Sequence, residues 1–417
     1  MIGSPPIVTA LRRLCLPPEL TPEISSTIFM QPGSENEIVS VEPVFGGDRS
    51  ATRSPGPEIP ALNARALQSL VHLFSEKENL FSRSITLRGT ALHRERNSAK
   101  RTVIALLGLS RLEESKAAAP FDVCSMRDAV LGDTSWVKSL GELGLLAWFT
   151  AECEPDRLRN LFRQFHFDNA LETYRQGREA CTSGLAWFLA GISHARLVGP
   201  RTPPDLTDVA VDAYHLLLEN QSDGGLFGQA AFPRWTQRAR RRFGTFSDQI
   251  FAIYALALFA RAFQIEEPLA PALSCANSIR SLQGDKGEWW FLYDKRACRV
   301  VNRYPVFSWH QAGAAPVGLL ALAEATGQNF DQPIYKGLSS VSGSDQLGKD
   351  LESQHPGLIW DSVRPSGKAA KYWEAAFSLA NISRVQNHQP LKVRYEARPD
   401  HFGWSLYAFG REGLPKK

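Results

Sequence analysis

The chain has 417 residues, 43% of them hydrophobic and 10% aromatic, enough to bury one large core or two ordinary ones. A net charge of only +4 argues against a general nucleic-acid binder. The six cysteines, Cys15, Cys124, Cys153, Cys181, Cys275 and Cys298, stand singly with no CxxC pair, so neither a disulfide framework nor a structural zinc site is expected.

Residues 1–58 are rich in Pro, Gly, Ser and Glu with only short apolar pieces. They read as a disordered or loosely attached segment, or equally as a leader or a start assigned too early. Met1 to Leu20 contains no continuous apolar stretch of the secretory kind, and no apolar run of about 18 residues marks a membrane span. The expected compartment is the cytoplasm.

From about Pro60 to the end a helical pattern takes over, and residues 59–417 read as one domain. Strand signals are nearly absent. One kind of segment recurs, apolar on nearly every side and rich in small residues: Ala105 to Leu112, Gly141 to Glu152, Gly184 to Ala195, Ala252 to Ala262, Val317 to Ala325 and, more weakly, Ala375 to Asn381. Helices that are apolar all round are buried all round. Between them lie helices with one polar face: Ala61 to Phe74, Asp156 to Phe165, Leu206 to Asn220, Pro268 to Leu282 and Phe330 to Val341. The geometric solution is an inner ring of buried helices wrapped by an outer ring, an all-α (α/α)6-type toroid. A linear solenoid gives the same alternation, but six repeats with long, irregular loops favour closure.

Two loops after outer helices are distinctive: Gln221-Ser-Asp-Gly-Gly-Leu-Phe-Gly228 and Gln283-Gly-Asp-Lys-Gly-Glu-Trp289. The Gln can bond free backbone groups at the helix end, the Gly permits the turn, and the aromatic ties adjacent hairpins. The second loop resembles the QxxxGxW repeat of squalene–hopene and oxidosqualene cyclases. The first resembles its looser form in those cyclases and in protein prenyltransferase β subunits. That resemblance implies the α/α scaffold of a branch of the terpenoid cyclase and protein prenyltransferase superfamily, and does not license its chemistry. The initiating acidic DxDD motif of those cyclases is absent, as is any adjacent Asp-Asp. Asp122-Val123-Cys124 has the spacing of the prenyltransferase zinc pair without its glycine-rich surroundings, so no metal and no cofactor is expected.

In an α/α barrel the loops that enter the inner helices line a funnel, and inner-helix N-termini favour anions there. The richest entries are Phe246-Ser247-Asp248-Gln249 and Phe307-Ser308-Trp309-His310-Gln311, a shared Phe-Ser…Gln frame on two repeats. Asp248 reads as a cavity acid or base, or as a helix cap; His310 reads as its partner, or as a structural hydrogen-bonder. Asp361, Glu374, Asp400 and His401 sit at equivalent entries and extend the catalytic set. Gln249, Gln311, Trp289, Trp290, Tyr304, Arg238 and Arg242 complete the substrate-binding set, the aromatics offering faces for a cation or a sugar ring. Basic stretches Arg83 to Arg101 and Arg234 to Arg242 border the same funnel and suit an anionic ligand.

Three readings follow. The first is a terpenoid cyclase or prenyltransferase-like barrel for an anionic or isoprenoid substrate, expected to hold a closed apolar cavity under one acid. The second is a carbohydrate-active toroid of the hydrolase, lyase or epimerase type, with an open polar cleft. The third is a non-catalytic binding or scaffold barrel whose cavity is plugged. The expected ligand is a small molecule, isoprenoid or sugar, with no nucleic acid and no transmembrane segment; oligomeric state is left open.

Overall fold

Small and apolar residues dominate five segments that, with one more mixed helix at the C-terminal end, become the inner helices of a closed ring. The computed structural model describes residues 59–115, 120–177, 181–199, 205–230, 239–301, 303, 308–342, 357–360, 362–365 and 391–415. Helices follow in the order α1 (Ile59–Leu73), α2 (Ala99–Glu114), α3 (Val123–Gly132), α4 (Leu140–Cys153), α5 (Leu158–Gln164), α6 (Phe167–Arg175), α7 (Thr182–Leu197), α8 (Asp205–Leu218), α9 (Phe246–Phe263), α10 (Leu269–Ser281), α11 (Ser308–Thr326), α12 (Asp331–Ser342) and α13 (Pro399–Phe409).

The inner six are α2, α4, α7, α9, α11 and α13. Each packs on the next, and α13 packs back on α2, so the ring closes. The outer helices lie against them: α1 on α13, α3 on α2, α5 and α6 on α4, α8 on α7, α10 on α9 and α12 on α11. The fold is therefore the α/α toroid that the alternation predicts. Close approach at the seams depends on missing side chains. A Cβ on Gly144 of α4 would lie 2.2 Å from the Phe188 Cα of α7, and one on Gly403 of α13 would lie 2.6 Å from the Ile104 carbonyl of α2. Helix α9 is long and apolar enough to cross a membrane by length and composition, which the sequence reading did not register, but it is buried as a member of this ring.

Five of the six expected buried segments fall in α2, α4, α7, α9 and α11. The sixth inner helix is α13; the segment Ala375 to Asn381 lies outside the described residues, as does the whole of 1–58. Helices α3 and α6, which the amphipathic pattern did not pick out, fill two further outer positions.

A second correction concerns strands. Short antiparallel ladders are present: β1 (Phe74–Ser75) with β2 (Leu80–Phe81); β3 (Ile85–Arg88) between β4 (Ala91–Arg94) and, much later in sequence, β10 (Glu396–Ala397); β5 (Phe243–Thr245) with β6 (Leu292–Asp294) and β7 (Arg299–Val300); and β8 (Ser362–Pro365) with β9 (Leu391–Arg394). Among the described residues all of them lie in connections that run from an outer helix into an inner one: 74–98, 219–245, 282–307 and 343–398. The opposite connections, such as 264–268 between α9 and α10, are short. One end of the ring is thus built up and the other is trimmed. Elaborated loops on a rigid scaffold are where binding and catalytic residues concentrate.

The two distinctive loops work as matched clamps. Gln221 Nε2 donates to the Gly225 carbonyl and to the Pro271 carbonyl in the first turn of α10, both at 2.8 Å. Gln283 Nε2 donates to the Gly287 and Pro333 carbonyls, both at 3.0 Å, the latter in the first turn of α12. Gly225 and Gly287 have φ of +82° and +97°, and a Cβ on Gly287 would lie 1.9 Å from the Lys336 carbonyl. Both loops therefore tie one outer helix to the next, a structural role that needs no active-site chemistry.

Candidate functional site

Counting along the inner helices exposes a layered interior. Trp187 of α7, Phe251 of α9 and Trp404 of α13 each stand sixth in their helices. Trp148 of α4, Tyr254 of α9 and Tyr407 of α13 stand ninth, one turn further. Arg111 of α2, Glu152 of α4 and His194 of α7 stand thirteenth. Rings of non-adjacent helices touch: Trp187 and Trp404 at 6.0 Å between centroids, Trp148 and Trp404 at 5.4 Å, and Trp148 stacked on Tyr254 at 4.7 Å. Contacts across the axis mean that side chains fill it.

The deepest layer is a saturated polar network. Glu152 Oε1 accepts from Trp148 Nε1 at 3.0 Å and from the Tyr407 hydroxyl, and lies 3.2 Å from His194 Nδ1; Oε2 accepts from Arg111 at 2.8 Å. Tyr254 Oη bridges His194 Nε2 at 2.7 Å and the Tyr407 hydroxyl at 2.9 Å. Five of the inner helices meet in it. Burial lowers His194 to about 4 and pushes the Tyr254 hydroxyl well up, so at neutral pH both are neutral. A chamber that folds hydrocarbon needs apolar walls, and here an ion pair occupies the axis.

The other end of the axis, the mouth, is formed by the first residues of the inner helices. His310 Nε2 is 3.1 Å from the Ser247 hydroxyl, and the His310 ring lies 4.8 Å from that of His401 at an angle of 41°. His401 Nε2 is 3.8 Å from Asp400 Oδ2, whose other oxygen lies 3.4 Å from Arg101 Nε. Ser247, His310, Asp400 and Arg101 keep part of their surface open, while His401 is buried. Burial lowers His310 to about 4 against the opposing pull of Asp400, and it holds His401 well below the usual histidine range. Across the mouth, Lys100 Nζ pairs with Glu142 Oε1 at 3.3 Å and sits 5.3 Å over the Trp187 ring.

Asp248 is at the mouth but faces sideways. Its Oδ1 accepts from the Ser183 amide at 3.0 Å, and its Oδ2 accepts from the Thr245 amide at 2.8 Å and the Thr245 hydroxyl at 2.6 Å. It closes the capping box of α9 and joins that helix to the start of α7. Burial pushes it up to about 6. At 1% exposure, with both oxygens engaged, its contacts are those of a structural acid. Its neighbour Ser247 is the residue that reaches His310, a contact the sequence reading missed although the two Phe-Ser frames put both side chains on one lattice.

Four of the expected binding residues are spent on structure. Gln249 clamps Phe227, its Oε1 accepting from the amide at 2.7 Å and its Nε2 donating to the carbonyl at 2.8 Å. Trp289 is 2% exposed and packs on Phe246. Trp290 Nε1 donates to the Leu282 carbonyl at 2.7 Å. Arg242 forks onto Asp294, with Nε 3.0 Å and Nη2 2.6 Å from Oδ2, fastening β5 to β6. Gln311 is buried beside Trp309. Asp361, Glu374, Tyr304 and Arg238 lie outside the described residues. Asp122 caps α3 by accepting from the Ser125 amide at 3.0 Å, and Cys124 is exposed on that outer helix. Among the described residues no group of three metal-ligating side chains converges.

No family model and no curated protein matches the chain. Solved structures do. A possible GH105-family member from Klebsiella pneumoniae has a TM-score of 0.54 at 12% identity, covering 93% of this chain and 99% of its own. An unsaturated glucuronyl hydrolase from Streptococcus agalactiae has a TM-score of 0.51 at 10% identity, covering 84% and 89%. A cellobiose 2-epimerase from Bacillus thermoamylovorans has a TM-score of 0.55 at 10% identity, covering 84% and 99%. At such identities the likeness is one of architecture, and the chain is an α/α toroid of the kind these sugar enzymes share.

Proposed function

We propose that the protein is a carbohydrate-active enzyme whose site is the mouth of the inner ring, with His310 as its proton-transfer group. The observation that carries this reading is the mostly buried, neutral His310, bonded to Ser247 and packed on His401, at the built-up end of the toroid. A neutral imidazole can take a proton at neutral pH, here through Nε2 when a substrate hydroxyl or carbon acid takes the place of the Ser247 hydroxyl. Asp400, held by Arg101, stands beside the imidazole pair and stabilises the cation that forms. The architectural neighbours act on sugars, which supports a sugar substrate here; the isoprenoid reading loses its physical support with the charged, filled axis.

Chemistry of the epimerase or lyase type suits these groups better than hydrolysis by a carboxylate pair. Among the described residues the partly exposed mouth carboxylates Asp400 and Glu142 are each tied to a cation, and the raised Asp248 is locked into its cap, whereas glycoside cleavage needs one accessible carboxyl held protonated beside another. The test is proton NMR in deuterium oxide with cellobiose and unsaturated uronyl disaccharides. Exchange or loss of one carbon-bound sugar hydrogen is expected, slowed about 10²–10⁴-fold in His310→Gln. Turnover unchanged by that substitution would remove His310 from the chemistry. A second reading, a sugar-binding barrel without turnover, is favoured by the plugged axis; it predicts saccharide binding and no exchange.

A further inference from the structure

We propose a specific sugar subsite in which Trp187 is the stacking platform and Lys100 selects a carboxylate on the ring above it. Of the tryptophans whose side chains are described, only Trp187 and Trp136 are not buried. Trp136 donates its Nε1 to the Val130 carbonyl at the end of an outer helix. Trp187 instead lies over the ring axis, its underside supported by Phe251 at 5.3 Å and Trp404 at 6.0 Å. A tryptophan on the sixth position of its helix leans back toward the N-terminal end, here toward the mouth. The platform is rigid below and partly open above.

The group above it is a cation. Lys100 reaches from the second position of α2 across the start of α4 to Trp187, two helices around the ring, and is 39% exposed. It is therefore a long, flexible cover held by one cation–π contact and one ion pair, with Glu142. Glu142 is itself fixed, its Oε2 accepting from the Lys138 amide at 3.0 Å. A pyranose that stacks on the indole displaces the ammonium from the ring face. If the sugar carries a carboxylate, the displaced ammonium pairs with it, and Glu142 Oε1 is left to accept a sugar hydroxyl. A neutral sugar offers Lys100 no such partner. The chemistry selects an acidic pyranose, a uronic acid residue, over its neutral counterpart, with Arg101 next in sequence adding to the positive field.

This subsite rests on the sugar-enzyme reading but has its own test. Binding of trigalacturonate and of cellotriose is measured by calorimetry for the full chain, its Lys100→Met, Trp187→Phe and Trp187→Ala variants, and His310→Gln. The wild type is expected to bind the uronate at least 10-fold tighter than the neutral trimer. Lys100→Met loses that preference while keeping cellotriose affinity, Trp187→Phe keeps most affinity for both, and Trp187→Ala loses at least 10-fold for both. Uronate preference that survives Lys100→Met, or affinity that survives Trp187→Ala, overturns the subsite and leaves His310 untouched. His310→Gln serves as the comparison: if it alone loses binding while the Trp187 and Lys100 variants keep it, the ligand sits elsewhere in the mouth and the subsite fails. If the wild type binds neither trimer, both readings fall together.

Discussion

The two ends of the inner ring use the same residue types to opposite ends. At the thirteenth positions Arg111, Glu152 and His194 are knitted to Trp148 and Tyr407, and every oxygen of Glu152 has a donor, although Arg111 and Glu152 keep 16% and 11% of their side chains exposed. At the first turns Arg101, Asp400, His310 and His401 form a looser set with part of its surface in water. Short connections cap the sealed end, and hairpins crowd the open one. Arginine, carboxylate and histidine do not mark a site by themselves. A network of short hydrogen bonds fixes packing, because each group already has its partner, while one held by longer contacts can still exchange a proton or a ligand.

The sealed end gives the largest expected effect. Glu152→Ala takes from Arg111 one of its two carboxylate partners, leaving Glu114 at 3.2 Å, and removes the acceptor of Trp148 and Tyr407; it should cost about 2–3 kcal/mol, enough to drop the melting midpoint by several degrees. Glu152→Gln, which keeps the volume, should fold and melt between the two. A melting midpoint within about 1 kcal/mol of wild type for the alanine variant would dissolve the contrast between the ends. His310→Gln, at the open end, should change stability by no more than about 1 kcal/mol while stopping turnover, as seen by comparing melting curves with the exchange assay.

The histidines sharpen the same contrast through pH. His194 and His310 are held at about 4 in the folded chain and stand near 6.5 unfolded, so the unfolded chain binds more protons between those values. Their contribution is whole above pH 6.5 and is lost as pH falls toward 4. Asp248, held at about 6, works the other way, adding stability as pH falls through 6 toward its unfolded value near 4. Two histidines, joined by His401, outweigh one carboxyl, so the denaturation midpoint should fall between pH 6.5 and 4.5 in urea titrations. A midpoint that rises over that range would contradict the buried, neutral assignment. The smallest effects belong to the loop clamps. Gln221→Ala and Gln283→Ala each remove two bonds of matched geometry and should cost about 1–2 kcal/mol apiece, alike to within about 0.5 kcal/mol.

Much of the architecture is readable from composition along the chain, since five inner segments are apolar on all faces and alternate with one-sided helices. Helix α13 escapes that rule because His401, Ser405 and Tyr407 dilute its apolar character, although all are buried once the ring closes. Two- to four-residue strands carry too few alternating positions to register as a pattern, so the hairpins of the built-up end were invisible. The proposed site is legible in position and less so in chemistry. The rule of looking just before each inner helix finds His310, Asp400 and His401, but whether a carboxyl there caps or reacts depends on where its oxygens point, as Asp248 shows. Trp187 and Lys100 lie in a greasy segment and a basic run respectively, and only the closed ring brings them face to face. A register count from each helix start would have lined up Arg111, Glu152 and His194, the one signal of the sealed network available before the fold.

The most direct measurement is a crystal structure of the chain soaked with trigalacturonate. A sugar ring should lie over Trp187, with its carboxylate at Lys100 and an edge toward His310, while the Glu152 network is unchanged. A saccharide seated at the Arg111 end of the ring, or on the outer helices, would show that the functional face has been assigned to the wrong side of the toroid.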